Sequence, residues 1–380
     1  MARRDENDEI DQLISELHAS ASPAPPATGD TGRLERWLRI LVDAGGSDLL
    51  LVPGAPPTIR VDTRVRALAD GPLDGLDVEE SVIPALPPYA RRQYRQALSA
   101  DGSFRVSGLG RFRINLHRER GRAAAAIRAL PTRVPLLSTL GLPPGVAQLA
   151  DLPRGLVLIG GPTGSGKTTT LAALVNEINR RDQRHIVTIE DPIEYEHAHL
   201  GSIVEQVEIG VDAPDFPTAL RAALRQAPDV LVVGEMRDPE TMRIALAAAE
   251  TGHLVFSTVH TTDAASTVAR IADSFPSERQ NTIRQELSMA LAAVMTQTLV
   301  PRVGGGLAPA VELLMIGYGA RQHVRRNALQ DLHQEITITR KHGSLTLEES
   351  LAQLVKSGTI DRQDALMRAA HLEEMEQLLR

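Results

Sequence analysis

The residues best placed to do chemistry lie in Gly160–Thr170, which reads GGPTGSGKTTT. Within it, Gly161, Pro162, Thr163, Gly164, Ser165, Gly166, Lys167 and Thr168 fit the pattern of two glycines enclosing four residues, followed by Lys and Ser/Thr. Glycines let the backbone curl so that several N–H groups converge on phosphate oxygens. A following helix adds the partial positive charge of its N-terminus. In such a loop Lys167 reaches the outer phosphates, and the Thr168 hydroxyl is a ligand for Mg²⁺, with Thr169 beside it. The pattern needs a strand before it and a helix after it. Leu156-Val157-Leu158-Ile159 and Leu171-Ala172-Ala173-Leu174-Val175 supply both. This stretch reads as a nucleotide site.

Three further apolar runs deliver polar residues at their ends, where ligands bind in open α/β sheets. Thr188-Ile189-Glu190-Asp191-Pro192-Ile193-Glu194 places three carboxylates after a strand, and any of them can orient an attacking water or hold a water around Mg²⁺. Leu231-Val232-Val233-Gly234-Glu235 is an apolar strand ending in an acid, the usual companion of a phosphate loop, although an Asp is commoner there. Thr251 to Thr261 carries His253 and His260 at the two ends of a strand. Each histidine can contact a γ-phosphate or cap the strand, and both readings stand at this point.

Elements that position these residues are legible in the chain's periodicity. Val157–Ile159, Ile186–Ile189, Val230–Val233 and Val255–Val259 read as strands, with helices over 168–180, 215–226, 239–250 and 263–273. That alternation indicates a parallel sheet covered on both faces. The remainder, about 278–380, reads as mostly helical, with Gly304-Gly305-Gly306 as a loop. Upstream, Thr58–Val61, Arg111–Leu116 and Ala123–Leu130 read as strands, and Leu34–Leu41 as a helix, which together suggest an antiparallel α+β domain. Residues 1–32 look separable: Ile10, Leu13, Ile14 and Leu17 have helical spacing, and ASASPAPPATGDTG reads as a linker.

Composition narrows the class. The 380 residues have room for two domains, at 42% hydrophobic and 23% charged. With no cysteine, disulfides and thiolate metal sites are excluded. No apolar run approaches the ~20 residues that span a bilayer, and the N-terminus lacks a signal peptide's apolar core. A net charge of −7 and 3% aromatic residues disfavour a nucleic-acid partner.

Taken together, the boxes resemble those of the type II/IV secretion ATPase superfamily, and more closely its type IV pilus retraction (twitching motility) ATPases. LRQAPDVLVVGEMRD (224–238) matches the superfamily signature, TIEDPIE (188–194) its aspartate box, and TGHLVFSTVHT (251–261) its histidine box. RFRIN (111–115) and IRALP (127–131) resemble the arginine-bearing strands of its PAS-like N-terminal domain. The resemblance implies a PAS-like α+β domain over 33–133 and a RecA-like ATPase domain with a helical C-terminal part over 134–380. It implies a cytoplasmic homohexamer that binds ATP and Mg²⁺ and acts at the inner membrane on a pilus platform protein, with a paralogous pilus ATPase as a possible companion. By the same resemblance Glu194 polarises water, Glu235 is the atypical second acid and a Mg²⁺ contact, His260 with His253 monitors the γ-phosphate, and Arg113 and Arg128 reach nucleotide from the N-terminal domain. Ala320–Asn327 keeps only Ala320 and Arg326 of the retraction-associated motif, which leaves open an accessory or assembly role. The cysteine pairs of many assembly and secretion ATPases are absent, which leans away from that branch.

Overall fold

A computed structural model describes residues 30–62 and 64–380. The expected N-terminal helix near Ile10–Leu17, and nearly all of the linker, lie outside the described residues. By contact the molecule divides into two units. One holds the described residues up to Arg133 together with Glu194–Ala198, and the other holds Val134–Ile193 and His199–Arg380.

In the first unit the elements run α1 (Gly32–Asp43), β1 (Asp48–Leu51), β2 (Thr58–Val61), β3 (Arg64–Ala67), α2 (Gly75–Val82), α3 (Pro88–Ala97), β4 (Ala100–Val106), β5 (Gly110–Glu119) and β6 (Arg122–Ala129). The strands form one six-stranded sheet in the order β3-β2-β1-β6-β5-β4, antiparallel throughout. Leu34, Trp37, Leu38 and Leu41 recur at helical spacing on α1 and are fully buried with Leu49, Ile114 and Leu116. Alternate residues of β5 enter this core, as expected of a strand with one solvated face. Asp74 and Asp77 close a capping box at the start of α2. β3 and β4 escape the periodicity reading; every residue of β3 is exposed, so it carries no apolar alternation to detect.

The second unit continues with β7 (Gly155–Gly160), α4 (Lys167–Arg181), β8 (His185–Glu190), β9 (Ile203–Glu208), α5 (Phe216–Ala223), β10 (Val230–Val233), α6 (Pro239–Glu250), β11 (Leu254–Thr258), α7 (Ala264–Asp273) and α8 (Ser277–Ala290). It ends with β12 (Leu291–Pro301), β13 (Leu307–Met315), α9 (Tyr318–Arg326), α10 (Leu332–Ile338), α11 (Leu347–Lys356), α12 (Arg362–Arg368) and α13 (Leu372–Leu378). Its seven strands are ordered β13-β12-β7-β11-β10-β8-β9. All neighbours are parallel except the β12–β13 hairpin, which turns through Gly304–Gly306. β7, β10 and β11 are buried along their whole length, between core clusters on the two faces of the sheet.

The segment 278–380 is mostly helical, as the sequence indicates, but it also holds the strands β12 and β13, which the sequence reading does not find. Leu291–Pro301 is buried at most positions on both faces, so its apolar residues follow neither the period of a half-buried strand nor that of a helix. β9 was also missed, since it is a short edge strand with polar Glu205 and Gln206.

The hairpin carries a buried acid. Glu312 of β13 accepts a hydrogen bond from the Ala264 N–H, the first amide of α7, at 2.6 Å. Burial pushes its carboxyl up from 4.5 to about 7, helped by Asp263 and Glu348 and opposed by that amide and by His333. Between these two values the unfolded chain has released a proton that the folded chain retains. Stability therefore falls as pH rises from about 4.5 to 7, by on the order of 3 kcal/mol in all. Glu312→Gln keeps an oxygen for Ala264 without the charge. Denaturant unfolding at pH 5 and pH 8 should show the variant losing markedly less stability than wild type over that interval. Equal losses would contradict the assignment.

Candidate nucleotide site

β7 leads directly into the loop, and α4 begins at Lys167, so the strand–loop–helix context that the glycine pattern requires is present. Gly161 and Gly166 have φ of +146° and +85°, conformations that L side chains rarely adopt. Lys167, only 7% exposed, folds back over the loop; its Nζ donates to Gly161 O at 2.8 Å and Pro162 O at 2.9 Å. Pro162, Thr163 and Gly164 are exposed, while Thr168 and Thr169 are half-buried on the first turn of α4. The Ser165 hydroxyl is buried without a hydrogen-bond partner. An anionic ligand at this loop meets a buried ammonium, a helix N-terminus and a hydroxyl with spare capacity, so the residues present fit a phosphate group.

One side chain that the sequence reading missed belongs to this loop. Gln297 of β12 donates from Nε2 to Ser165 O at 2.7 Å and accepts from Thr170 Oγ1 at 2.8 Å. Reading its segment as helical hid it. The signal for a strand was the β-branched residues Thr296, Thr298 and Val300 at alternate positions ahead of Pro301.

β10 lies one strand from β7, with β11 between, so the ends of β7 and β10 stand about 10 Å apart. Glu235 follows β10. Arg237 Nε donates to its Oε1 at 2.7 Å, and His260 Nε2 lies 3.9 Å from its Oε2. Thr258 at the end of β11 donates to Gly234 O at 2.5 Å, which fixes the two strand ends against each other. Glu235 and His260 are thus brought together at the loop's end of the sheet. Glu190, at the end of β8, accepts from Thr188 Oγ1 at 2.7 Å and from Gln206 Nε2 at 3.2 Å. Among the described residues no three His, Asp or Glu converge as a metal cage.

His253 lies at the opposite end of β11 from His260. It precedes β11, and its carbonyl accepts from the Gly155 N–H at the start of β7. The length of β11 puts it about 17 Å from the end of that strand at Thr258. Its ring Nδ1 lies 2.9 Å from Ala248 O and its backbone N–H donates to the same oxygen at 3.1 Å. A helix leaves its last carbonyls unpaired, and His253 satisfies one of them at the end of α6. Of its two readings, the cap is the one the geometry supports.

Arg113 and Arg128 stand directly opposite one another on β5 and β6. Like charges in that register repel, and flanking acids offset this. Arg128 Nε donates to Asp48 Oδ1 at 2.9 Å, and Arg113 Nη2 lies 3.4 Å from Asp101 Oδ1. Glu194 is half-buried and groups with the first unit rather than with the loop.

The degenerate segment is an ordinary amphipathic helix. Ala320 and Val324 of α9 are buried, Arg321 donates to Ser288 O and Met289 O at 2.6 and 2.8 Å, and Asn327 closes the helix in the left-handed conformation.

Comparison with known proteins agrees with this geometry. The family model described as "Type II/IV secretion system protein" matches residues 124–370. The type IV pilus retraction ATPase PilT of Pseudomonas aeruginosa is 42% identical over 325 residues, covering 86% of this chain and 94% of that protein. The type IV pilus ATPase PilU of the same organism is 38% identical, covering 88% of each chain. Among solved structures, the pilus retraction motor PilT with bound ADP superposes with a TM-score of 0.82 at 42% identity, over 90% of this chain and 98% of that one. The Legionella pneumophila ATPase DotB gives 0.78 at 27% identity, over 91% and 97%. The chain belongs to the type II/IV secretion system protein family, and it is an ATPase of the PilT-like kind, with an N-terminal domain followed by a RecA-like ATPase domain.

Proposed function

We propose that this chain forms a homohexameric motor whose ATP hydrolysis powers type IV pilus retraction through an inner-membrane platform protein. The observation that carries this reading is the 42% identity to a pilus retraction ATPase along nearly the whole of both chains. No helix among the described residues is long and apolar enough to cross a membrane, and the proposed place of action is the cytoplasmic face at the pilus base.

In this reading the loop amides and Lys167 hold the phosphates, and the Thr168 hydroxyl, with Glu235 nearby, holds Mg²⁺. The ion, when bound, would supply positive charge that offsets the charge developing on the phosphates. Glu194 orients the attacking water as a hydrogen-bond acceptor. His260, whose ring neighbours Glu235, reports the presence of the γ-phosphate. Arg113 and Arg128 exchange carboxylate partners for phosphate, a change suited to the planar guanidinium fork. The Arg113–Asp101 pair is solvent-exposed and worth only about 0–1 kcal/mol, so its exchange costs little, whereas Asp48 beneath the exposed Arg128 is itself only 15% exposed.

The altered segment on α9 favours a second reading, an accessory motor beside a paralogous pilus ATPase, and an assembly ATPase is a third. Deletion of the gene separates retraction from assembly. A strain that is heavily piliated but immobile supports retraction, whereas a bald strain overturns it in favour of assembly.

A further inference from the structure

We propose that Gln297 is a positioning residue for the phosphate loop, its carboxamide holding the loop and the first turn of α4 in the conformation that receives phosphate. The inference rests on reading that loop as the nucleotide site. Thr296 pairs with Gly160 in the β12–β7 register, so Gln297 stands beside the point where the backbone leaves the sheet. The side chain is 4% exposed and Thr170 1%. Its Nε2 donates to Ser165 O inside the loop, and its Oε1 accepts from Thr170 Oγ1 inside the helix, both bonds being buried. A carboxamide is suited to this because it presents a donor and an acceptor on one rigid plane. A carboxylate of the same size would set a charged acceptor against the Ser165 carbonyl, with no proton between them.

The glycines of the loop record the same contact. A Cβ on Gly161 would lie 2.4 Å from the Gln297 carbonyl oxygen, and one on Gly166 would lie 2.8 Å from Gln297 Nε2. Two of the loop's glycines are therefore needed for the approach of β12 as well as for the curl of the backbone. The buried strand residue braces the loop from the side away from solvent, and it lies outside the glycine pattern.

A residue that fixes loop geometry acts on nucleotide affinity, and misplacement of a binding group by a fraction of an ångström is enough to weaken it. The test uses full-length Gln297→Met, Gln297→Glu and Thr170→Val, measuring ADP affinity, kcat and KM for ATP hydrolysis, and the unfolding midpoint without nucleotide. Gln297→Met should weaken ADP binding and raise KM by about tenfold, with a smaller fall in kcat, and Gln297→Glu should do worse. Thr170→Val should weaken ADP a few-fold, and the double variant should be no worse than Gln297→Met alone, because the two share one bridge. A lowered unfolding midpoint with unchanged Kd and KM would reduce Gln297 to a packing role and overturn the proposal. If Gln297→Met does not fold, Thr170→Val decides, since it keeps the side chain's shape; wild-type ADP affinity there overturns it. Lys167→Ala separates the two levels. Loss of hydrolysis in Lys167→Ala with wild-type affinity in Gln297→Met refutes only the bracing role, whereas unchanged hydrolysis in Lys167→Ala refutes the nucleotide site beneath it.

Discussion

Lys167→Ala is expected to abolish ATP turnover, lowering it by on the order of 10³-fold or more while leaving the protein folded. Lys167 is a buried ammonium, and its partners include the loop's own carbonyls, Gly161 O and Pro162 O. A neutral hydrogen-bond arrangement of this kind keeps a costly buried charge satisfied until a better acceptor arrives. Phosphate oxygens are that acceptor, and charge-assisted bonds to them are shorter and stronger than those to a carbonyl. Removing the ammonium costs the nucleotide its strongest point charge, while β7, α4 and the core clusters beneath them are untouched. Circular dichroism would confirm the fold, and steady-state hydrolysis of ATP with Mg²⁺ would read the effect. A folded variant with unchanged turnover would mean that the loop is not where hydrolysis occurs.

Glu194→Gln should bind ATP but hydrolyse it about 10²-fold more slowly, the usual contribution of a positioned proton acceptor. The exchange preserves size and removes the charge that polarises water. Glu235 is the competing candidate: its carboxylate is 19% exposed, is engaged by Arg237 and stands 3.9 Å from His260. Single-turnover hydrolysis with Glu194→Gln and Glu235→Gln, together with ADP affinity, would divide the roles. Near-normal turnover in Glu194→Gln would transfer the water-orienting role to Glu235.

What was legible in the chain follows from how each element meets solvent. The loop was readable because phosphate binding demands glycine, lysine and a hydroxyl at fixed offsets, independent of what packs beneath. The strands β7, β8, β10 and β11 were readable because each is a short β-branched run bounded by polar residues. β12 was not, because a strand buried on both faces has no alternation, and its loss concealed Gln297, whose contacts reach back across the sequence to Ser165 and Thr170. His253 and His260 are legible as the two brackets of one strand; what the sequence alone withholds is which end of the sheet each occupies, and the parallel register of β11 with β7 supplies that. Glu312 was silent in sequence because nothing local marks a glutamate as buried; the helix terminus that holds it begins at Ala264, far away along the chain.

The most direct measurement of the central claim, that hydrolysis on this loop pulls a pilus, is the retraction of single labelled pili in cells whose sole retraction-type ATPase is this chain or its Glu194→Gln variant. With the wild-type chain, pili should extend and retract. With Glu194→Gln they should extend normally and retract more slowly, or stall, in step with the loss of turnover measured on the purified protein. Retraction at full speed despite the lost turnover, or the disappearance of pili altogether, would contradict it.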